Sequence, residues 1–404
     1  MENHWRHPSL KVRWFFFFLG IIGLFFGDVF MSYSLVRGEV KTFSETQTFF
    51  KGSDQEVNVY YLSGRETGPT MLIFGGIHGD ESGGYLTVDR YVGLKCVKGS
   101  LMIVPRLNLY AILTKKRTGL SGRDMNRKFY PSKENKDPDD KVAGLAKSLM
   151  DRADIILNLH QGHGFYSPVW IDKTRNPIRW GQCNIIDVPV LNLPDGRRLE
   201  LEHFAQGVVE KINSEIRDKR YRFHVNNTNT SSHGSLHPEQ RKSLTYYALT
   251  GKHKMAFGIE ATNHCSLPQA IGYLTMAVNA MMEKAGIMVE AFPSASPAVI
   301  ASELRRNEKF SGLIVRINDD ERLIPPESEI FLTPGDRFQI LSVKAMHTRG
   351  WYPFLSGSNI YNGVGKVFLI EKNDQVILQK DGKRVAAFSI LMKENVPSKL
   401  EAGT

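Results

Sequence analysis

The sequence predicts an α/β fold with a mostly parallel, doubly covered sheet, followed by an all-β region. Up to about residue 292, apolar strand-like runs alternate with segments of helical spacing. Beyond that point, short β-rich runs are divided by turn residues. Continuous apolar runs such as 71–74 are typical of strands buried on both faces of a parallel sheet. The 404 residues, 42% of them hydrophobic, suffice for one large domain and an accessory part.

The N-terminus carries a targeting signal. The basic residues Lys11 and Arg13 precede the apolar run WFFFFLGIIGLFFGDVFM. A basic segment before a short apolar segment is typical of a secretory signal, and Asp28 leaves the uninterrupted run short for a membrane span. We therefore predict that residues 1–38 are either a cleaved signal peptide or a retained N-terminal membrane anchor, and that the rest of the chain is exported.

Residues 39–292 form the predicted α/β domain. Apolar runs predict strands over 57–62, 70–74, 101–104, 155–159 and 256–259. Apolar residues at steps of three and four predict helices over 81–91, 142–150, 199–216 and 268–285. This alternation of strands and helices is the pattern of a sheet covered on both faces.

Residues 293–404 form the predicted β-rich accessory region. The Pro- and Ser-rich stretch FPSASPA places a domain boundary near residue 292. Runs such as SGLIVRIND and QVILQKDGKRVAAF follow, which we interpret as up to two small modules. Asn373-Asp374 and Asp381-Gly382 are typical of hairpin turns, so we expect one hairpin at each.

The net charge indicates which partners to expect, and the cysteine spacing indicates which cysteine-based sites to expect. The net charge of +10 favours anionic surroundings such as nucleic acid, a membrane surface or a cell-wall polymer without choosing among them, and a basic soluble surface with no specific polyanion site is the simpler alternative. No basic run interleaved with aromatics indicates a nucleic-acid groove, so we expect no nucleic-acid partner. Cys96, Cys183 and Cys265 lack the spacing of a zinc ribbon. These three cysteines are compatible with one disulfide and one free thiol, and equally with three buried thiols.

Polar groups follow apolar runs at four places in the α/β domain. His78 and Glu81 stand in an H-x-x-E spacing after the run 71–74, His160 ends DIILNLH, and Glu260 follows MAFGI. The fourth place is RTGLSGRDMNR, residues 117–127, which follows the predicted strand 101–104. Open α/β sheets bind ligands at the carboxyl ends of their strands, so we expect all four segments to meet at one crevice.

A zinc site follows from the residue types. His78, Glu81 and His160 make a set of two histidines and one carboxylate, which leaves a fourth position open for water. Glu260 is then the free carboxylate that takes the proton from that water and passes it to a leaving amine. The alternatives are that His160 is a hydrogen-bonded histidine of the core or rim and that Glu260 is a buried carboxylate paired with an arginine.

The Arg-rich segment predicts an anion-binding wall. Arg127, beside Asn126, can bind a substrate carboxylate through a bidentate guanidinium and an amide donor. Arg117 can stabilise an oxyanion, with Arg123 as the alternative for that role. Asp124 is expected to be a structural hydrogen-bond acceptor.

These motifs together resemble the zinc carboxypeptidase superfamily, which includes the aspartoacylase-like deacylases. The resemblance covers residues 70–265 and implies zinc at His78, Glu81 and His160, with Glu260 as general acid and base. It also implies that Asn126 and Arg127 bind the substrate carboxylate. The segments LHQGHGFY and RWGQCNIID, with the β-rich tail, are similar to the murein DL-carboxypeptidases that shape helical bacteria. Some members of that group carry glutamine where this chain has a histidine at position 78.

The resemblance implies a periplasmic zinc peptidase that acts on muropeptides. Such enzymes trim a peptidoglycan tripeptide to a dipeptide and release meso-diaminopimelate, and so influence cell shape. An N-acyl amino acid deacylase of the aspartoacylase type is the first alternative, against which the export segment argues. The second alternative is a non-catalytic wall-binding protein, against which the complete set of predicted zinc and acid/base residues argues.

Overall fold

The computed structural model describes residues 43–130 and 137–393. The predicted signal or anchor, residues 1–38, lies outside the described residues. Within the described part of the chain, none of the helices has the length and apolar character needed to cross a membrane.

The α/β part contains thirteen described strands and six described α-helices. In chain order they are β1 Phe43–Phe49, β2 Val57–Ser63, β3 Glu66–Phe74, α1 Ser82–Asp89, β4 Cys96–Val104, α2 Leu109–Thr114, α3 Asp139–Met150, β5 Ile155–Gly162, β6 Phe165–Tyr166, β7 Arg175–Asn176, β8 Cys183–Ile186, β9 Leu191–Asn192, β10 Arg198–Leu199, α4 Leu201–Glu215, β11 His224–Asn227, α5 Leu244–Lys252, β12 Met255–Thr262, α6 Leu267–Ala285 and β13 Met288–Val289. Each strand and helix predicted from the sequence in this region is present, with ends that differ by a few residues.

The central sheet has the order β1-β2-β4-β3-β5-β12-β8-β11, and β13 pairs with β4. The four middle strands, β4, β3, β5 and β12, run parallel. The strand β8 is antiparallel to β12, and β2 is antiparallel to β4. The carboxyl ends of β3, β5 and β12 therefore lie together at one edge, where the predicted polar segments begin.

Both faces of the sheet are covered, as predicted. Helices α1, α4 and α6 pack on one face through apolar residues such as Val88, Val208 and Leu274. Helices α3 and α5 cover the other face, with Ala146 and Ala248 in its core. Burial on both sides explains why the middle strands are continuously apolar.

The C-terminal part is β-rich, as predicted, but it begins with a helix that the sequence analysis did not predict. After helix α7, Pro297–Asn307, come β14 Phe310–Ile317, β15 Asp320–Ile324, β16 Ile330–Leu332, β17 Asp336–Ala345, β18 Trp351–Leu355, β19 Val367–Ile370, β20 Asp374–Lys380 and β21 Lys383–Met392. They form two four-stranded sheets, β15-β14-β17-β19 and β16-β21-β20-β18, which enclose a common apolar core. The domain boundary near residue 292 stays a prediction.

One of the two predicted hairpin turns is correct. Asp381 and Gly382 join the antiparallel strands β20 and β21, and both have positive φ (49° and 74°), as a two-residue turn of this kind requires. The hairpin predicted at Asn373-Asp374 is wrong. The strands on either side of it, β19 and β20, belong to different sheets, so the turn residues there connect two layers.

Candidate metal centre and cavity

His78 and Glu81 lie in the loop between β3 and α1, directly beyond the carboxyl end of a central strand. Gly79 allows this loop to close, because a Cβ there would lie 1.9 Å from the carbonyl oxygen of Ala111. Glu81 occupies the N-cap position of α1, yet its side chain makes no capping hydrogen bond. Its carboxylate is therefore free to face the histidines.

His160 and Glu260 lie side by side, because the parallel register of β5 and β12 pairs these two residues. Leu159 points the opposite way, into the core, so alternation along the strand turns His160 toward the carboxyl-end crevice. Gly162 leaves room for the glutamate, since a Cβ there would lie 2.7 Å from Oε2 of Glu260.

The structure brings the three predicted metal ligands together. Nδ1 of His78 lies 2.7 Å from Oε1 of Glu81, and Nδ1 of His160 lies 2.8 Å from Oε2 of the same carboxylate. One nitrogen or oxygen from each of the three buried residues lies within 4.8 Å of those of the other two. Two imidazoles and one carboxylate that converge in this way are the donor set of a catalytic zinc site with an open position. The residues present therefore fit a metal ion.

The charges of this cluster are strongly coupled. Burial alone would raise the pKa of Glu81, but His78 and His160 hold it well below its usual range. Burial alone would lower the pKa of His78, but Glu81 and Asp124 raise it to about 9. Burial lowers the pKa of His160. Since a ligating histidine must be unprotonated, His78 would have to give up its proton in order to hold a metal.

Glu260 has the opposite electrostatic environment from Glu81. Burial raises its pKa well above the usual range, the negative charge of Glu81 adds to this, and Arg117 opposes it. Oε2 of Glu260 is buried and has no hydrogen-bond partner among the described residues. A carboxyl with a raised pKa and an unused oxygen is suited to accepting and returning a proton.

Arg117 and Asp124 lie against the same cluster. Arg117 donates hydrogen bonds to Oε1 of Glu81 (2.9 Å) and to Oδ2 of Asp124 (3.3 Å). Oδ1 of Asp124 lies 3.0 Å from Nε2 of His78. A carboxylate on the outer nitrogen of a ligating histidine fixes the orientation of its ring. Arg123, the alternative to Arg117, is exposed and does not line the cavity.

Asn126 and Arg127 form one wall of the site. The backbone N–H of Leu244, at the start of α5, donates to Oδ1 of Asn126 (2.9 Å), so the amide oxygen is engaged and the NH₂ group remains as a donor. Arg127 is half-buried, and one guanidinium nitrogen donates to the carbonyl of Asn126 (2.9 Å). The remaining donors of the guanidinium can bind an anion.

All seven residues predicted for the site line one cavity of about 510 Å³. Its other walls include residues that the sequence did not single out: Asn158, Gln161, Trp180, Ile185, Glu239, Gln240 and Thr245. Trp180, Glu239 and Gln240 come from connecting segments, where no periodic pattern marks them. Only the position of Gln161 next to His160 in the sequence indicated that it could lie in the site. The backbone N–H of Gln161 donates to Oε2 of Glu81 (3.2 Å).

The remaining histidines near the site lie outside the metal cluster. His163 is at the rim, where its ring lies 3.3 Å from that of His264. The ring of His237 packs on Trp180, with the ring centroids 4.3 Å apart. Neither His233 nor His237 joins a metal-ligating group within residues 43–130 and 137–393.

An α/β sheet with two histidines and a carboxylate at its strand ends, beside a free glutamate, is typical of metal-dependent hydrolases. The chain belongs to the family described as "Carboxypeptidase controlling helical cell shape catalytic", whose profile matches residues 50–300. It is therefore a carboxypeptidase, and the resemblance to cell-shape carboxypeptidases drawn from the motifs is confirmed.

Solved structures confirm the fold. The tripeptide-bound cell shape determinant Csd4 from Helicobacter pylori superposes with a TM-score of 0.56 at 20% identity, and the match covers 87% of this chain and 100% of that one. The form of the same protein bound to mDAP, described as a D,L-carboxypeptidase, gives a TM-score of 0.55 at 21% identity over 81% of this chain and 97% of that one.

A curated relative of the chain is a deacetylase. The N-alpha-acetyl-L-2,4-diaminobutyric acid deacetylase of Halomonas elongata is 33% identical over 103 residues. This match covers 24% of the chain and 30% of the relative, so the chain matches less than a third of that protein's length.

Proposed function

We propose that this protein is an exported zinc carboxypeptidase that trims peptidoglycan stem tripeptides to dipeptides and releases meso-diaminopimelate. The observation that carries the proposal is the buried set of His78, Glu81 and His160, with Glu260 beside it in the same cavity. Membership in the cell-shape carboxypeptidase family and the fold shared with a D,L-carboxypeptidase support the choice of substrate.

Zinc is the metal that best fits these ligands. Two imidazoles and one carboxylate suit zinc better than calcium or magnesium, which prefer oxygen ligands. A zinc ion held there supplies Lewis-acid polarisation of the scissile carbonyl and acidification of a water.

The protein residues supply binding and proton transfer. Arg127 and the amide NH₂ of Asn126 bind the terminal carboxylate of the peptide, which places the last peptide bond beside the metal cluster. Glu260 takes a proton from the attacking water and delivers it to the leaving amine. Arg117, whose guanidinium lies 2.9 Å from Glu81, stabilises the negative charge that develops on the carbonyl oxygen.

Export is proposed from the sequence of residues 1–38, whose basic and apolar segments are those of a secretory signal or anchor. The periplasm of a bacterium is then the compartment where enzyme and peptidoglycan meet. The net charge of +10 suits an anionic wall.

A deacylase is the second candidate, favoured by the 33% identity to a deacetylase over 103 residues. It would use the same metal and the same glutamate on a small N-acyl amino acid. The family match over residues 50–300 favours the carboxypeptidase.

The test is an incubation of the purified protein with muropeptides, with zinc or with a chelator, read by mass spectrometry. We expect a zinc-dependent loss of one diaminopimelate from the tripeptide stem and no change in the dipeptide stem. Glu260→Gln is the matched control, because it removes the proton carrier and leaves all three ligands. No change in any muropeptide by a zinc-loaded protein that deacylates N-acyl amino acids would overturn the proposal.

A further inference from the structure

Large apolar side chains are exposed on either side of β7, in a segment that leads to Trp180 of the cavity wall. Val169, Trp170 and Ile171 are consecutive, and 62%, 62% and 59% of their respective surfaces are exposed. Ile178, later in the same region, is 52% exposed. Contiguous exposed apolar patches mark interaction sites more often than apolar residues scattered singly over a surface. We call these four residues the apolar tip.

The loop that carries the tip is held by its own hydrogen bonds. Oδ1 of Asp172 accepts from the backbone N–H of Thr174 (2.7 Å) and of Arg175 (2.8 Å). The N–H of Ile171 donates to the carbonyl of Arg175 (3.0 Å), and Asn176 donates to the carbonyl of Asp172 (2.8 Å). Hydrogen bonds within the loop thus fix its backbone, and its apolar side chains are exposed to solvent.

Cationic side chains are concentrated in the segment that carries the tip and in a second segment hydrogen-bonded to it. Arg175 donates to the backbone carbonyl of Arg220 (2.7 Å), and this hydrogen bond joins the loop to the segment 217–222. The ring of Phe165 lies under the guanidinium of Arg175 at 4.3 Å and against the ring of Tyr221 at 5.8 Å. Together the loop and the segment carry seven cationic side chains, the basic collar: Lys173, Arg175, Arg179, Arg217, Lys219, Arg220 and Arg222.

The collar carries a large share of the net charge of the chain. Two carboxylates, Asp172 and Asp218, lie in the same two segments, so seven positive charges against two negative ones leave a formal +5, out of +10 for the whole chain. Lys173, Lys219 and Arg222 are exposed, and no salt bridge to a carboxylate engages them within the described residues.

We propose that the apolar tip and the basic collar dock the protein on an anionic lipid membrane, with Trp170 in the headgroup region. Tryptophan prefers this region because its ring is apolar and its N–H is polar. Lysine and arginine around an inserted apolar group are attracted to anionic lipids. A sugar would stack on the aromatic face of Trp170 and leave the aliphatic residues Val169, Ile171 and Ile178 without a partner, so the lipid fits the tip better.

Docking would orient the catalytic cavity. Trp180 lines the cavity and follows Arg179 of the basic collar directly. A tip held in the bilayer surface therefore keeps the mouth of the cavity near the membrane. This surface is distinct from the metal cluster and would bind lipid whatever the substrate of the enzyme is.

The test uses the full chain with vesicles whose acyl chains are brominated and quench nearby tryptophan fluorescence. Trp170→Phe is compared with the unaltered protein, because it retains an apolar tip and removes only one of the five tryptophans. In vesicles that contain phosphatidylglycerol, we expect a quenched component of the emission that Trp170→Phe lacks. The tryptophans of residues 1–38 contribute equally to both proteins and cancel in the difference.

The charge of the lipid is tested in the same way. In neutral phosphatidylcholine vesicles we expect the Trp170 component to be quenched several-fold less. Lys173→Glu with Lys219→Glu should weaken the Trp170 quenching by about tenfold or more at equal lipid, since each basic residue near an anionic surface contributes about 1 kcal/mol. Lys51→Glu with Lys141→Glu, which reverses two exposed charges elsewhere, should leave it unchanged.

Three results would overturn the proposal. Equal quenching of the unaltered protein and of Trp170→Phe would show that the tip does not enter the bilayer. Equal quenching of Trp170 in neutral and anionic vesicles would remove the role of the basic collar. A shift of the Trp170 emission by soluble glycan strands, without quenching by any vesicle, would assign the tip to a sugar instead.

Discussion

Arg106 binds Asp381 across 275 positions of sequence, through hydrogen bonds of 2.6 Å and 3.1 Å from two guanidinium nitrogens. Arg106 follows the central strand β4, and Asp381 lies at the turn between β20 and β21. Arg106 also donates to Asp89 (2.8 Å), at the end of α1, and Asp89 accepts from Arg349 (2.8 Å). Asp89, Asp381 and Arg106 are all buried. The β-rich region is thus fixed to the catalytic sheet by charge-assisted hydrogen bonds.

Asp381→Ala is expected to destabilise the protein by about 3–5 kcal/mol. The variant leaves the buried guanidinium of Arg106 with one carboxylate fewer, and an uncompensated buried charge is costly. Chemical denaturation followed by circular dichroism measures the change.

Asp320→Ala is the matched control for that variant, because Asp320 also pairs with an arginine, Arg322, but 82% of its side chain is exposed. We expect it to change stability by no more than about 0.5 kcal/mol. If the two variants are equally stable, the buried pair does not brace the two parts of the chain.

The catalytic sheet could be predicted because local patterns determine it. Apolar runs marked the middle strands, and the polar residues that follow them marked the crevice, so His78, His160 and Glu260 were placed from strand ends alone. The turn at Asp381-Gly382 was predicted because it needs only two residues with positive φ.

Other features depend on contacts that are remote in sequence. The antiparallel strand β8 lies between β12 and β11, and no local signal sets that order. The same limit explains why the hairpin predicted at Asn373-Asp374 is wrong: the turn residues are local, but the strands on either side pair with partners in different sheets. Trp180 reaches the cavity from a loop and Glu239 from the short 3₁₀-helix Pro238–Lys242, and tertiary packing determines the position of both.

Glu260→Gln should separate metal binding from turnover. Glu260 is not a ligand in the cluster, so we expect zinc content by metal analysis to remain at the level of the unaltered protein. Loss of the proton carrier should lower kcat by about 10²–10⁴. Glu81→Gln should lose both turnover and zinc, because the carboxylate of Glu81 contacts both histidines. A Glu260→Gln enzyme with normal kcat would contradict the assigned role.

Arg127→Lys should act on substrate binding. A lysine keeps the charge but cannot form the bidentate contact with a carboxylate, so KM is expected to rise about tenfold or more while zinc content stays constant. Steady-state kinetics on the tripeptide stem measure the change. Arg123→Lys, in the same segment but outside the cavity, should leave KM unchanged. An equal rise in KM for both variants would show that general charge, rather than the contact of Arg127, is responsible.

Asp187→Asn is expected to flatten the dependence of stability on pH. Asp187 is buried beyond the end of β8, where Thr230 donates to its Oδ1 (2.5 Å) and Oδ2 has no partner among the described residues. Burial raises its pKa from 3.8 to about 6, and the hydrogen bond from Thr230 opposes this. The folded state binds the proton of Asp187 more tightly than the unfolded state does. The contribution of Asp187 to stability is therefore full below about pH 3.8 and is lost as the pH rises through about 6.

Because the pKa of Asp187 is about 6 in the folded protein against the usual 3.8, this loss is at most roughly 3 kcal/mol, at 1.36 kcal/mol for each pH unit between the two values. Asp187→Asn carries no charge at any pH, so its free energy of unfolding should lack this fall between pH 4 and pH 7, measured by urea denaturation at each pH. Asp319→Asn, at an exposed turn, should keep the pH profile of the unaltered protein. A profile for Asp187→Asn that falls as steeply as that of the unaltered protein would show that another group titrates in this range.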